Sequence, residues 1–282
     1  MKNNLSLLTS RNKTDHLLRV CIFGCGWLGF PLAKHLIQNG CEVVGTTTNP
    51  MKLDALKQAG VEAILWDATQ EEDLPAIVLS CQVWVMAFPP KTKSTDGEWY
   101  WQAISHLAEQ TRDQGIEKLI LLSSTSVYPD TPAEVSEDDP IEEEKTGHLA
   151  LFKAEKVLAQ TEELKTYILR LGGLAGHDRV LARHMAGKSG IKNGLAPVNL
   201  VHLKDAVHVV ALFAQADYEE GIYNVCCPEH PTRQALYTAE CEKRGWPIPE
   251  FIPEGKGKVV SSSKLLKETE YQFLFPDPAH FE

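Results

Sequence analysis

Apolar runs of five to eight residues recur through the first half of the chain, each separated from the next by a helical or turn-rich stretch. "RVCIF" (19–23) leads into the amphipathic "WLGFPLAKHLIQNG", which closes on Gly40. "CEVVGTT" (41–47) leads into a helix near 50–59 that closes on Gly60, and "VEAILW" (61–66) follows. "CQVWVMAF" (81–88) precedes a helix over about 98–114 ended by Gly115, and "EKLILLS" (117–123) is a fifth strand. Glycine just past a helical pattern suits the left-handed backbone of a C-terminal cap. The runs are apolar without strict alternation, as strands buried on both faces are. Strand–helix alternation of this kind predicts an α/β fold with a doubly wound parallel sheet, the Rossmann arrangement.

The turn from the first strand to the first helix reads "FGCGWLGFPLA" and places Gly24, Gly26 and Gly29 in a GxGxxG spacing. Gly24 permits a tight turn, Gly26 lets a pyrophosphate approach the backbone, and Gly29 lets helix and strand pack closely. Trp27 and Leu28 complete the turn, where a helix N-terminus offers free N–H donors and partial positive charge. Pro31 falls in the first helical turn, where its missing N–H is harmless. The spacing predicts a dinucleotide cofactor.

The end of the second strand indicates which one. A carboxylate there binds the ribose diol of NAD. This chain offers "GTTTNPMK" instead, with Thr46, Thr47, Thr48 and Lys52 and no acid before Asp54. Hydroxyls and a lysine suit a 2′-phosphate, so the expected cofactor is NADP, with NAD as the alternative. Asp67, past the third strand, is placed either to accept from the adenine amine or to cap a helix, and Phe88 and Pro89 line the cofactor trough.

"LILLSSTSVYPD" (119–130) runs four apolar side chains into five hydroxyls within six positions. Such a cluster either holds a substrate or finishes a buried strand. Composition narrows the field. A net charge of −10, from 38 acids and 28 bases, argues against a nucleic-acid partner. No stretch has the ~20 apolar residues of a membrane span. Residues 1–18 read as an N-terminal extension and not as a secretory signal. The seven cysteines, an odd number at irregular spacing, read as free thiols of a reducing compartment, so the expected location is cytoplasmic. Adjacent Cys226 and Cys227 lack a partner at ligand spacing, and no metal site is expected.

With the glycine turn, "SSTSVY" and "ILRLGGLAG" (168–176), the chain resembles the extended short-chain dehydrogenase/reductase superfamily, the NAD(P)-dependent epimerases and dehydratases of nucleotide sugars. "VNLVHLKDAVHVVALF" (198–213), "GIYNVCCPEHPTR" and "LFPDP" extend the resemblance over about residues 19–278. "GCGWLGFPLA", "SSTSVY" and "VNLVHLKD" are most similar to the YeeZ-type atypical branch. The resemblance implies a Rossmann domain over 19–171 and a smaller C-terminal substrate-covering region over 172–282, with 203–226 returning to the sheet. It also implies a small-molecule substrate, such as a carbonyl compound or a sugar nucleotide.

Members that transfer hydride use a Ser or Thr, a Tyr that exchanges its proton, and a Lys that depresses the tyrosine pKa and binds the nicotinamide ribose. By its place in the motif, Ser124 matches the family serine. The Tyr-x-x-x-Lys pair has no match. Aligning Ala154–Glu155 with the family's Ala-Glu puts Gly147 at the tyrosine and Leu151 at the lysine. Sliding by two supplies Lys153 but leaves Leu149 at the tyrosine. His148, next to the vacant position in both registers, is the candidate substitute, since imidazole exchanges protons near neutral pH; its plainer reading is a helix-start cap. Gly173, after the sixth strand, is expected beside the nicotinamide by fold analogy. The acidic run over 134–144 reads as a solvated loop, His202 and Asp205 as caps of the late helix, and Lys256, Lys258 and Lys264 as facing water.

Three functions fit these features. The first is an NAD(P)-dependent oxidoreductase or epimerase with Ser124 and a substitute proton donor. The second, which the missing tyrosine favours, is a non-catalytic dinucleotide sensor or regulator. A 6-phosphogluconate-dehydrogenase-like enzyme fits less well, because such enzymes lack "SSTSVY" and need a long helical second domain.

Overall fold

The computed structural model describes residues 17–70, 73–90, 97–112, 114–161, 164–176 and 178–281. The extension expected over 1–18 lies outside these residues except for its last two. The strands are β1 (Arg19–Phe23), β2 (Glu42–Thr47), β3 (Glu62–Leu65), β4 (Val83–Met86), β5 (Lys118–Ser124), β6 (Glu134–Val135), β7 (Lys165–Leu171), β8 (Gly173–Ala175), β9 (Leu200–His202), β10 (Gly221–Val225) and β11 (Val259–Val260). The helices are α1 (Gly29–Gln38), α2 (Leu53–Gln58), α3 (Ala76–Leu79), α4 (Glu98–Glu109), α5 (Leu149–Ala159), α6 (Leu203–Gln215), α7 (Arg233–Lys243) and α8 (Ser263–Thr269).

Seven strands form one parallel sheet in the order β10-β7-β5-β4-β1-β2-β3. Although β1 is apolar throughout, its residues divide between the two faces. Val20 and Ile22 pack with Leu32, Leu36, Val210 and Phe213 beneath α1 and α6. Cys21 and Phe23 pack with Tyr100, Ile104, Leu107, Ala154 and Leu158 beneath α4 and α5. A period of two is thus present in space where hydropathy hides it, because both faces are dry. This doubly wound sheet is the fold the alternation predicts.

After β7 the chain leaves the sheet and comes back to it. β8 and β9 pair separately, α6 packs beside α1, and β10 completes the sheet edge against β7. A third apolar cluster, with Ala175, Leu200, Leu236, Tyr237, Cys241 and Phe281, forms from the C-terminal segments. Buried Lys118 ties the end of α6 to β5: its Nζ donates to the Ala216 carbonyl at 2.6 Å and lies 2.8 Å from Asp217 Oδ1. All seven cysteines are buried and free.

Several details depart from the pattern reading. The segment near 50–59 is a 3-10 turn over Pro50–Lys52, capped by the Asn49 side chain, and then α2. The expected helix over 98–114 stops at Glu109. His202 does cap α6, its ring accepting the Lys204 N–H at 3.3 Å. Asp205, fully buried, instead holds the C-terminal tail, accepting the Tyr271 hydroxyl and the Leu274 amide at 2.7 Å and the Phe275 amide at 3.1 Å. Among the C-terminal lysines, Lys258 donates to the Tyr128 carbonyl at 2.8 Å and Lys264 lies over the Tyr223 ring, so neither simply faces water.

Candidate functional site

The site begins at the β1–α1 turn. Gly24 has φ +101°, and a Cβ there would stand 3.0 Å from the Phe88 amide nitrogen, where the chain leaves β4. A Cβ on Gly29 would stand 2.2 Å from the Gly24 carbonyl, so only glycine lets α1 approach its own turn. A Cβ built on Gly26 would meet nothing within 4 Å, so the space over its backbone is open. Thr46 at the end of β2 fixes the turn: its hydroxyl accepts the Gly24 N–H at 3.0 Å and its carbonyl accepts the Cys25 N–H at 2.7 Å. The amides of Trp27, Leu28 and Gly29 have no acceptor among the described residues. No acid stands in the first turn of α1, and no side chain caps it. Unpaired donors at a helix N-terminus, next to open space, suit a diphosphate.

A cleft of about 190 Å³ extends from this turn. Gly24 and Gly26 line its floor, Thr46–Asn49 and Lys52 one wall, Trp66–Ala68 its far end, and Ala87–Pro89 with Trp99 the opposite wall. Nine of the expected cofactor residues therefore meet on one surface: Gly24, Gly26, Thr46, Thr47, Thr48, Lys52, Asp67, Phe88 and Pro89. Trp27, Leu28, Gly29 and Gly173 do not line it. Leu28 is buried in the core, and Gly29 serves helix–strand packing. The Trp27 indole turns away and donates to Asp178 at 2.6 Å, and the Gly173 amide donates to the Asn199 carbonyl at 2.8 Å.

Within the cleft the three threonines differ. Thr46 and Thr47 are buried and hold backbone amides, of Gly24 and Asn49 respectively, whereas Thr48 and Lys52 are exposed. Asp67, the sole acid on the cleft wall among the described residues, accepts from the Thr69 amide and hydroxyl. Asn49, which stands with the threonines in "GTTTNPMK", also lines the cleft, and so do Cys25, Trp66, Ala68, Ala87 and Trp99, which were not anticipated. The Cys25 thiol is pushed up to about 12 by burial, opposed by the charge of Lys52, and is therefore an inert packing group.

The hydroxyl cluster continues along the same C-terminal edge of the sheet, and it divides by strand period. Buried Ser123 donates to Glu155, which forms a two-pronged ion pair with Arg170 (2.7 Å, Nη2 to Oε2) beneath the sheet edge. Half-buried Ser124 accepts the Ser126 amide at 3.1 Å, which leaves its own hydroxyl proton available to donate. Tyr128 is structural: its hydroxyl, with one proton to donate, lies 2.9 Å from Asn224 Oδ1 and 2.8 Å from the Ser136 carbonyl oxygen, and burial raises its pKa.

Where the family tyrosine aligns, the backbone is pinned against this loop. Both the Thr146 hydroxyl (2.7 Å) and the Gly147 amide (3.2 Å) donate to the Val127 carbonyl. A Cβ on Gly147 would stand 2.3 Å from the Ser126 carbonyl oxygen. The alternative tyrosine position, Leu149, is an exposed side chain at the start of α5. His148 caps α5, its Nδ1 accepting the Leu151 amide through a long 3.5 Å contact, and burial lowers its pKa. In its neutral form, a ring that accepts through Nδ1 carries its proton on Nε2 and offers a donor there. His148 and Ser124 sit on adjoining segments without bonding each other. Lys153 turns elsewhere, over the Trp101 ring and 3.7 Å from Glu143. The acidic run is only partly solvated, since Glu137 accepts the Asn224 amide at 2.6 Å and ties the loop to the sheet edge.

A seven-stranded parallel sheet with a glycine turn, free helix amides and a cleft along strand ends defines a dinucleotide-binding protein. Comparison with known proteins extends this. Residues 24–199 match the NAD(P)H-binding family. Protein YeeZ of Escherichia coli K12 is 33% identical over 268 residues, covering 92% of this chain and 97% of that protein. Among solved structures, human epimerase family protein SDR39U1 with NADPH superposes with a TM-score of 0.74 at 20% identity, covering 93% of this chain and 96% of that one. UDP-glucuronic acid 4-epimerase from Bacillus cereus, in complex with NAD, gives a TM-score of 0.76 at 16% identity, covering 93% and 95%. The chain belongs to the NAD(P)H-binding family and is a relative of protein YeeZ.

Proposed function

We propose that the protein is an NADP-dependent oxidoreductase or epimerase acting on a small carbonyl compound or sugar nucleotide. The turn over Gly24–Gly29 holds the diphosphate, and Thr48 and Lys52 meet the 2′-phosphate. The observation that carries the NADP reading is the exposed pair Thr48 and Lys52 on a cleft wall where β2 ends without a carboxylate. A bound nicotinamide dinucleotide would supply hydride chemistry. This chain's part would be to orient the substrate oxygen, through the Ser124 hydroxyl and the His148 Nε2–H. The free buried thiols support a reducing, cytoplasmic setting.

A second reading, a dinucleotide sensor without turnover, is supported by Gly147, whose contact with the Ser126 carbonyl leaves no room for a tyrosine. Mixing the protein with NADPH and a panel of aldehydes, ketones and sugar nucleotides separates the two. NADPH oxidation, or epimerisation of a sugar nucleotide, that is lost in Ser124→Ala with cofactor affinity unchanged supports the enzyme. Tight NADPH binding with no turnover across the panel supports the sensor. Failure to bind either NADPH or NADH would discard both.

A further inference from the structure

The family motif ends at Gly29, yet a distant segment is attached to it. Trp27 belongs to the glycine turn, and its backbone amide is one of the unpaired donors. Its indole N–H donates to Asp178 Oδ1 at 2.6 Å, and the Arg179 guanidinium lies over its ring, 4.1 Å from the centroid. Gly176 and Arg179 exchange reciprocal backbone bonds, Gly176 N–H to Arg179 O at 3.2 Å and Arg179 N–H to Gly176 O at 3.1 Å. Gly176 has φ +101°, and a Cβ there would stand 2.3 Å from His202 Nε2. His202 is in turn stacked on Phe275 at 3.8 Å. Gly176 is therefore seated against the capped start of α6, and its backbone partner Arg179 lies over Trp27 of the glycine turn.

Arg179 is exposed, and no carboxylate lies within ion-pair distance of it among the described residues. In a chain of net charge −10, a guanidinium without an ion pair, held on the ring of the residue whose amide is one of the three unpaired donors, is a placement that favours an anion. Stacking on an aromatic face holds the planar fork while leaving its edge N–H groups free to donate, a geometry that suits phosphate oxygens. Lys52, the charged donor on the cleft wall, stands in the 3-10 turn past β2 and serves the other end of the ligand.

We propose that Arg179 is a cofactor-binding residue: seated on Trp27 and steadied by Asp178, its guanidinium meets the diphosphate of the dinucleotide held by the glycine turn. The segment after β7 thereby closes over the cofactor, and this inference rests on the dinucleotide reading of the turn. The test is a binding titration of the full chain and of Arg179→Gln with three probes: NADPH, ADP-ribose and adenosine 2′-monophosphate. The first two contain a diphosphate and the third does not. We expect about tenfold weaker binding of NADPH and ADP-ribose in Arg179→Gln, adenosine 2′-monophosphate unchanged, and partial recovery in Arg179→Lys. Unchanged NADPH affinity overturns the role of Arg179 while leaving the cofactor site intact. Equal loss of all three probes also overturns it, since that marks general damage. A wild-type chain that binds none of the three removes the dinucleotide reading itself.

Discussion

Glu155 of α5 and Arg170 of β7 form a buried ion pair in which Arg170 Nε and Nη2 both donate to the carboxylate, at 3.1–3.2 Å and 2.7 Å. Ser123 donates to the same carboxylate, and the guanidinium carbon lies 4.7 Å from the centroid of the Tyr128 ring. The pair therefore fixes the helix behind His148 to the strand beside the hydroxyl loop. It is a brace for the candidate site, not a member of it.

Breaking one half of that brace leaves a buried charge alone. Arg170→Met is expected to destabilise the fold by about 3–5 kcal/mol, and Glu155→Leu by a similar amount. The double variant Glu155→Leu/Arg170→Met should lose less than either single change, because no unpaired ion remains. Urea unfolding of the four proteins measures this. Additive losses in the double variant would show that the two charges act independently.

Lys52 separates the two cofactors. Its exposed ammonium on the wall past β2 makes no ion pair among the described residues, so it is available when the ligand brings a phosphate. Lys52→Ala should weaken NADPH binding about tenfold and leave NADH binding unchanged. Parallel titrations with the two reduced cofactors give the ratio, and equal losses for both would remove Lys52 from 2′-phosphate recognition.

Asp217 gives a pH signature. Hydrogen bonds from Lys118 and Lys165 hold its carboxyl down at about 2. A depressed folded-state pKa stabilises the fold above the ordinary carboxylate value near ~4. That stability disappears as the pH falls from about 4 to about 2. Asp217→Asn should therefore unfold at lower urea than wild type at pH 6, with the gap closing below pH 4. Because the carboxylate is 61% exposed, screening by water limits the gap to about 1 kcal/mol. A gap that stays constant with pH would mean the aspartate acts by shape and not by charge.

What the sequence showed and what it hid follow from contact range. The glycine turn is legible because its three functions lie within six residues. The sheet is legible because each strand carries its own apolar run. The role of Thr46 is not, since its hydroxyl meets a glycine amide 22 positions away. Nor is Asp178, which is 151 positions from Trp27. Trp66 and Trp99 lie on separate segments, and only the folded chain brings them together at the cleft. Asp205 reads as a helix cap because it stands in a first turn. Its real partners arrive from a tail some seventy residues later.

The vacant tyrosine position provides the strictest test of the site. A sequence alignment presents Gly147 and Leu151 as simple losses that a pair of substitutions would reverse. The structure shows that the backbone has taken up the space. Gly147 donates to the Val127 carbonyl, and any Cβ would press within 2.3 Å of the Ser126 carbonyl oxygen, a backbone atom that cannot swing aside. Leu151 is buried against the α4–α5 face of the sheet, where a lysine ammonium would lose its water without a partner. Gly147→Tyr should therefore cost about 1–3 kcal/mol or more by overpacking, and Leu151→Lys should add a further loss. The double variant should gain no hydride transfer with NADPH on any member of the carbonyl panel. Thermal unfolding and NADPH oxidation, measured on the same preparations, decide the matter. A stable double variant that turns over faster than wild type would mean that the strap over residues 146–148 yields to a side chain, and that the site is a worn short-chain dehydrogenase centre and not a rebuilt one.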